Sequence, residues 1–293
     1  MNFSQLEVLE NISLDCSEMK TVFVVLHYCQ VEVTKDCVES LLKLDGERDV
    51  VIVDNASPDG SGYILNQFYS DNDNVKVLLN KDNLGFAGGN NVGYVYAKGL
   101  NPDFIIILNN DTLINDKDFL NKLGKDNLLQ YHIIAPDIIT YKGKHQNPFK
   151  RAGITKKEVL RLLRRKRLSL LFYSLPLLYK LKTFDEPKEI GRIQKDRMYD
   201  IVPHGAAIIF TRQWIENEDL CFRPGTFMYF EEDLLYLYIK KHNYRTIYEP
   251  SLQITHLEDM STNVVHKNIR KRMIFQNKQK IKSLKAILNF MKD

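Results

Sequence analysis

Apolar and polar positions over the first 140 residues fall into two alternating kinds of stretch. Short stretches rich in Val, Ile and Leu, at 21–27, 49–53, 75–79, 104–111 and 132–139, read as strands, those at 21–27, 49–53 and 104–111 as buried ones. Between them, 33–44 carries Val33, Cys37, Val38, Leu41 and Leu42 at helical spacing, and 63–69, 92–99 and 118–129 also read as helices. Residues 80–91 read as a Gly/Asn-rich loop. This alternation predicts βαβ units and an α/β fold with a mostly parallel central sheet flanked by helices. It stops at 141. Residues 141–197 form a basic and amphipathic insertion, and regular structure resumes at 199–210. The stretch 228–242 opens with carboxylates and becomes a helix, 245–248 and 252–255 are two short strands ending at His256, and 267–293 is an amphipathic helical tail. The expected division is therefore 1–20, 21–140, 141–197, 198–262 and 263–293.

Polar residues at strand ends carry the candidate chemistry. The run 104–108 is followed by Asn109-Asn110-Asp111, at the carboxyl edge where open α/β sheets bind ligands. Asp111 is a hard oxygen donor suited to Mg²⁺ or Mn²⁺ on a diphosphate; a turn capping the next helix is the competing reading. Asp54 ends another strand at the same edge. It can accept from the N–H of a pyrimidine base, or form an Asx turn with Asn55. The segment 83–91 (NLGFAGGNN) opens a helix, so its glycines and free N–H groups suit anionic oxygens, although a tight strand-to-helix turn needs the same residues. It follows the third strand and lacks GxGxxG, which excludes a dinucleotide-binding dehydrogenase. Glu231, Glu232 and Asp233 follow an aromatic stretch; their mutual repulsion suits a general base, and an acidic first helical turn is the plainer alternative. His256 gains meaning only beside Asp111.

Composition changes this picture little, but charge distribution does. A content of 44% hydrophobic and 27% charged residues fits a globular protein large enough for a full core. The net charge of +4 is too small to point to nucleic acid. It is concentrated at 142–167, where Lys150, Arg161, Arg164 and Arg165 stand among others, directly before the apolar stretch 168–181. That stretch contains Pro176 and is too short to span a bilayer. Basic residues beside leucines suit an anionic membrane surface, against a helical hairpin packed on the core or a homodimer interface. Cys16, Cys29, Cys37 and Cys221 form no CxxC pair and suit neither zinc nor a disulfide framework. The N-terminus is acidic, unlike a signal peptide. The expected location is cytoplasmic, peripheral on the inner membrane face.

Seven segments stand together in one order: TVFVVLHY (21–28), VVIVDNASPDGS (50–61), NKDNLGFAGGNN (80–91), FIIILNND (104–111), GAAIIF (205–210), FMYFEED (227–233) and His256. Over 21–261 the chain resembles a family-2 inverting glycosyltransferase of GT-A fold, of the bacterial rhamnosyltransferase-like branch. The resemblance implies that Asp54 contacts the nucleotide base. His27, Tyr28, Asn83, Gly88, Gly89, Asn90, Asn109, Asn110 and Gly205 would line the nucleotide-sugar site. Asp111 and His256 would hold Mn²⁺ or Mg²⁺, with Asn109 replacing the first acid of the family's DxD and counted as a further candidate ligand. Glu232 matches the second acid of the paired motif and would be the base, with Glu231 and Asp233 as alternatives. It further implies a UDP- or dTDP-sugar donor and a polyprenyl-diphosphate-linked acceptor in surface polysaccharide assembly, with rhamnose the first choice of sugar. Hexose, galactofuranose and N-acetylhexosamine stay open. A nucleotidyltransferase would need a basic, Gly-rich loop after the first strand, which His27-Tyr28-Cys29-Gln30 does not supply. A non-catalytic scaffold on the same fold is the remaining alternative; retained Asp111, Glu232 and His256 speak against it.

Overall fold

The unbroken Val/Ile runs occupy the middle of the sheet, where both faces are covered. A computed structural model describes residues 19–124, 128–175, 194–258 and 269–292. The N-terminal extension up to residue 18 (with Cys16), and residues 176–181 of the apolar stretch (with Pro176), lie outside the described residues. The strands are β1 (Thr21–His27), β2 (Arg48–Asp54), β3 (Val75–Leu79), β4 (Phe104–Asn109), β5 (Thr112–Leu113), β6 (Ile133–Thr140), β7 (Met198–Tyr199), β8 (Ala207–Thr211) and β9 (Thr246–His256). The helices are α1 (Val31–Leu42), α2 (Ser61–Phe68), α3 (Gly85–Lys98), α4 (Phe119–Leu123), α5 (Lys156–Ser174), α6 (Arg212–Asn217), α7 (Glu231–Lys241) and α8 (Ile269–Phe290).

The strand order is β3-β2-β1-β4-β8-β6-β9-β5, with β7 on β9. The first four strands are parallel, as the βαβ pattern requires. Beyond them the sheet is mixed: β8 runs antiparallel to both β4 and β6. That reversal has a consequence for chemistry. Leu108 pairs with Ala207, and Asn109 N–H donates to Ala206 O (3.0 Å), so the start of β8 meets the carboxyl end of β4. Successive side chains alternate between two cores. Phe23, Val25, Ile52 and Ile106 pack under α1, α2 and α4; Val22, Val24, Val53 and Ile107 pack under α3, α6 and α7. Each fully buried aliphatic contributes roughly 1.5–3 kcal/mol relative to exposure.

Three elements depart from expectation. The Gly-rich stretch expected as loop to residue 91 is helical from Gly85. Gly89 and Gly93, one turn apart, let α3 lie close to the sheet: an added Cβ at 89 would come within 2.5 Å of Leu26 Cδ1, and at 93 it would overlap Val24. Close packing thus outweighs the intrinsic helix penalty of glycine, about 1 kcal/mol per residue. Gly93→Val is expected to destabilise the protein by about 1–3 kcal/mol through overpacking, read as a lower urea midpoint at unchanged slope. The two short strands expected at 245–255 are one strand. Its register against β6 shifts between Pro136 and Asp137, so residues 250–252 are extra, and Pro250 falls where no ladder N–H is needed. Finally, the helix expected at 118–129 is only Phe119–Leu123 followed by a 3₁₀ turn at Leu128–Gln130.

Candidate active site

Parallel register sets the first part of the site. His27 pairs with Asp54 and Leu26 with Asn109, so the ends of β2, β1 and β4 lie level on one edge. Asp54 and Asn109 are two strand spacings apart, roughly 10 Å. The Asp54 carboxylate accepts from Ser57 Oγ (2.5 Å) and Ser57 N–H (3.2 Å), the Asx arrangement, and Gly62 leaves no room for a Cβ beside it. Asn55 is a hub that sequence reading assigned only to that turn. Its Nδ2 donates to Asn83 Oδ1 (3.1 Å) and Gly85 O (3.0 Å), and its Oδ1 accepts from Leu84 N–H (3.0 Å). It ties the glycine-rich turn to the end of β2, leaving Asn83 exposed at the edge.

Several implied ligand residues face inward instead. His27 is fully buried, its ring nitrogens held by Thr34 Oγ1 (2.7 Å) and Ser61 Oγ (2.8 Å), and burial lowers its pKa. It braces α1 and α2 against β1, and no ring nitrogen is left for a ligand. Asn90 is buried with Nδ2 on Phe86 O, and Asn110 is turned onto Thr34 Oγ1. Gly89 serves packing, as above. Tyr28 and Gly88 are half-buried near the edge.

Asp111 and His256, distant in sequence, meet because β5 pairs with β9, Thr112 opposite His256. His256 Nε2 lies 3.2 Å from Asp111 Oδ1, and both residues are buried. A carboxylate and an imidazole nitrogen converging on one point fit Mn²⁺ or Mg²⁺, with remaining positions left to phosphate oxygens and water. Among the described residues, no group of three His, Cys, Asp or Glu forms a complete cage. The diphosphate would have to complete such a site.

A cavity of about 330 Å³ opens where the end of β4 meets the segment before β8. Asn109, His204, Gly205, Glu231, Glu232 and Lys150 are among its lining residues. His204 links the two regions: its ring centroid is 6.1 Å from that of His256. Its Nδ1 accepts from Ala206 N–H (3.1 Å), and burial, reinforced by His256, pushes its pKa down to about 3. The neutral ring therefore carries its proton on Nε2. The acidic triplet is presented by left-handed backbone at Tyr229 (φ 74°) and Phe230 (φ 68°), uncommon for aromatic residues and typical of functional turns.

The three carboxylates separate by environment. Asp233 is buried and held through both oxygens by Lys150 Nζ (2.7 and 2.9 Å), so it is occupied. Glu231 is buried, its Oε1 has no partner, and burial with the neighbouring Glu232 charge pushes its pKa up to about 8. Glu232 Oε1 accepts from Gly205 N–H (3.2 Å); a Cβ at 205 would sit 2.6 Å from that oxygen, so glycine makes room for the carboxylate. Burial raises the Glu232 pKa, and Lys150 opposes the rise. A base works deprotonated, so kcat/KM is expected to fall as pH drops through a value above the ordinary 4.5 of a glutamate. Lys150→Met should move that acid limb to higher pH, because it removes a cation and leaves the Asp233 charge unpaired; a pH–rate profile of both proteins checks this.

Sequence reading missed the segment 145–150, which lies inside the stretch read as insertion. His145 holds Asp137, Gln146 holds His256, and Asn147 donates to Pro136 O (2.7 Å) while accepting from His204 N–H (2.8 Å). Phe149 packs edge-on to the His204 ring, and Lys150 reaches Asp233. The only local signal was Asn147-Pro148, a turn dipeptide hidden in a basic run.

The mixed α/β sheet with its flanking helices has the GT-A fold. Structural neighbours share it. TarS residues 1–349 of S. aureus superpose with TM-score 0.52 at 17% identity, covering 82% of this chain and 60% of that one, and 0.52 at 18% identity in complex with UDP-GlcNAc, covering 85% and 62%. GalNAc-T7, solved with UDP, GalNAc and Mn²⁺, gives 0.54 at 14% identity, covering 83% and 44%. Residues 21–181, over half the chain, match Glycosyl transferase family 2, and the chain belongs to that family. Two curated relatives match shorter stretches. The low-salt glycan biosynthesis hexosyltransferase Agl10 of Haloferax volcanii is 31% identical over 102 residues, 34% of this chain and 32% of that protein. Glycosyltransferase GlyG of Streptococcus pneumoniae serotype 4 is 32% identical over 82 residues, 28% and 26% respectively. The aligned stretches thus span about a third or less of those relatives.

Proposed function

We propose that this protein transfers a sugar from a nucleotide-diphosphate donor to an acceptor hydroxyl with inversion at the anomeric carbon. The observation that carries this is convergence. Asn109 at the end of β4 and Glu232 line one cavity, and His204 joins that cavity to the Asp111–His256 pair. The nucleotide would lie along the carboxyl edge from Asp54 to Asn109, its diphosphate against Asp111 and His256. A divalent ion there would neutralise charge developing on the leaving diphosphate. Glu232 takes the proton from the acceptor hydroxyl, whose oxygen forms the new C–O bond as the sugar–phosphate bond breaks. His204 Nε2–H and Gly205 frame the reacting sugar. The half 21–140 holds the donor and 198–262 the acceptor, with 145–150 joined to the second.

UDP or dTDP is the proposed nucleotide and a hexose-type sugar the proposed cargo, with rhamnose first. Neighbours solved with UDP or UDP-GlcNAc, and the hexosyltransferase relative, support that class. Melting temperature with UDP, dTDP, GDP and CDP, each with and without Mn²⁺, tests it. A nucleotide at about 100 times its Kd adds about 2.7 kcal/mol of stability. A metal-dependent rise with UDP or dTDP is expected; no rise with any nucleotide would overturn the reading.

The proposed acceptor is a polyprenyl-diphosphate-linked oligosaccharide, reached at an anionic membrane surface. Helices α5 and α8 pack side by side: Val159 and Leu163 meet Leu284 and Ile287, while Arg270 holds the carbonyls of Tyr173 and Ser174. The outer face of α5 exposes Lys157, Arg161 and Arg164, then Leu168 (57%) and Leu171 (55%), with Leu175 (44%) just past its end. The outer face of α8 exposes Lys271, Lys278, Lys282 and Lys285. Among the described residues, no helix is long and apolar enough to cross a membrane. Flotation with anionic but not zwitterionic vesicles is expected, and Leu168→Ser/Leu171→Ser should weaken it; equal recovery with both vesicle types would refute surface docking.

A further inference from the structure

Four side chains form an ordered line that begins with the Asp111–His256 pair and continues through Gln146 to Glu258. Asp111 Oδ1 faces His256 Nε2 at 3.2 Å, His256 Nδ1 faces Gln146 Oε1 at 2.7 Å, and Gln146 Nε2 donates to Glu258 Oε1 at 2.9 Å. A carboxylate only accepts, so the Gln146 amide must turn its NH₂ towards Glu258 and its carbonyl towards His256. The carbonyl only accepts in turn, so His256 carries a hydrogen on Nδ1. The backbone cannot relax this order. Gln146 N–H is fixed on Ile138 O (2.8 Å), and its neighbours His145 and Asn147 are bound to Asp137 and Pro136.

We propose that Gln146, set by Glu258, is the positioning residue that aims His256 Nε2 at the divalent cation shared with Asp111. This rests on the reading that Asp111 and His256 hold that ion. With Nδ1–H committed to Gln146, Nε2 is the ring nitrogen left facing the carboxylate oxygen, and the one through which the ring can bind a metal. A divalent cation can take the place of a proton between that nitrogen and the carboxylate, and the hydrogen bond on the far nitrogen fixes ring orientation and tautomer. Gln146 lies 110 residues from His256 in sequence, so only the fold brings them together.

The test is a Mn²⁺ titration of the full chain with saturating UDP or dTDP, whichever stabilises it, following free Mn²⁺ by its EPR signal. Gln146→Leu is expected to raise the Mn²⁺ Kd about 10–100-fold. Melting temperature and metal-free nucleotide affinity, measured in EDTA, should change little. Gln146→Glu/Glu258→Gln reverses the polarity of the outer pair while keeping an acceptor on Nδ1, and should restore Mn²⁺ affinity to near the wild-type value. A Gln146→Leu Kd within twofold of wild type overturns the proposal, as does failure of the reversed pair to recover affinity in a protein with unchanged melting temperature. If the wild type binds nucleotide but no Mn²⁺, the metal reading itself is wrong and the proposal falls with it.

Discussion

Glu232→Gln is expected to lower kcat about 10²–10⁴-fold, the usual contribution of a general base. Nucleotide-sugar affinity, measured by calorimetry, should stay within a fewfold. The amide keeps the size of the carboxylate, and its oxygen can still accept from Gly205 N–H, so the cavity wall is preserved. What it loses is a site for the acceptor's proton. The neighbouring carboxylates are poor substitutes. Asp233 is held at both oxygens by Lys150, and burial beside the Glu232 charge favours the protonated form of Glu231. Glu231→Gln should therefore cost much less rate than Glu232→Gln. The reverse ranking would reassign the base to Glu231. A collapse of donor affinity in Glu232→Gln would mean that this residue binds the sugar and does not serve as the base.

Sequence pattern revealed the half 21–140 more fully than the rest, and the reason is locality. β1, β2 and β4 are continuous apolar runs, and a parallel sheet aligns their carboxyl ends without further information, so Asp54, Asn109 and Asp111 could be placed on one edge from the order of those runs alone. Inward or outward orientation was not legible. His27 and Asn110 sit at the same edge as Asp111, yet both point to Thr34, because α1 packs beneath them and supplies a hydroxyl. Gly89 read as a ligand-binding and loop signal, whereas in the fold it and Gly93 serve close helix-to-sheet contact. The second half of the sheet depends on antiparallel returns and on the strap at 145–150. Gln146, Asn147 and Lys150 each act on a residue more than 50 positions away, except for the Asn147 contact with Pro136. No periodicity encodes such partners.

Asp111→Asn is expected to remove most metal-dependent activity, lowering kcat/KM by about 10²–10⁴-fold. Charge stabilisation by a metal is worth several kcal/mol, and each 1.36 kcal/mol is tenfold in rate. The substitution is nearly isosteric, so the backbone contact from Leu257 N–H to the carbonyl of residue 111 (2.9 Å) should survive, and folding with it. The change falls on charge. An amide oxygen is a weaker ligand for a hard dication than a carboxylate oxygen, and with only two protein ligands in the pair the loss is not shared among many. The distinguishing measurement is the response to EDTA. Wild-type activity should fall to roughly the level of the variant, while the variant should change little further. If Asp111→Asn retained wild-type turnover that EDTA still abolished, the cation would be held elsewhere, and Asp111 with His256 would be a buried hydrogen-bonded pair holding β5 against β9. If EDTA left the wild type unaffected, leaving-group charge would have to be met by the neutral donors around the cavity, His204 Nε2–H first among them, and His204→Ala would then become the variant with the larger loss.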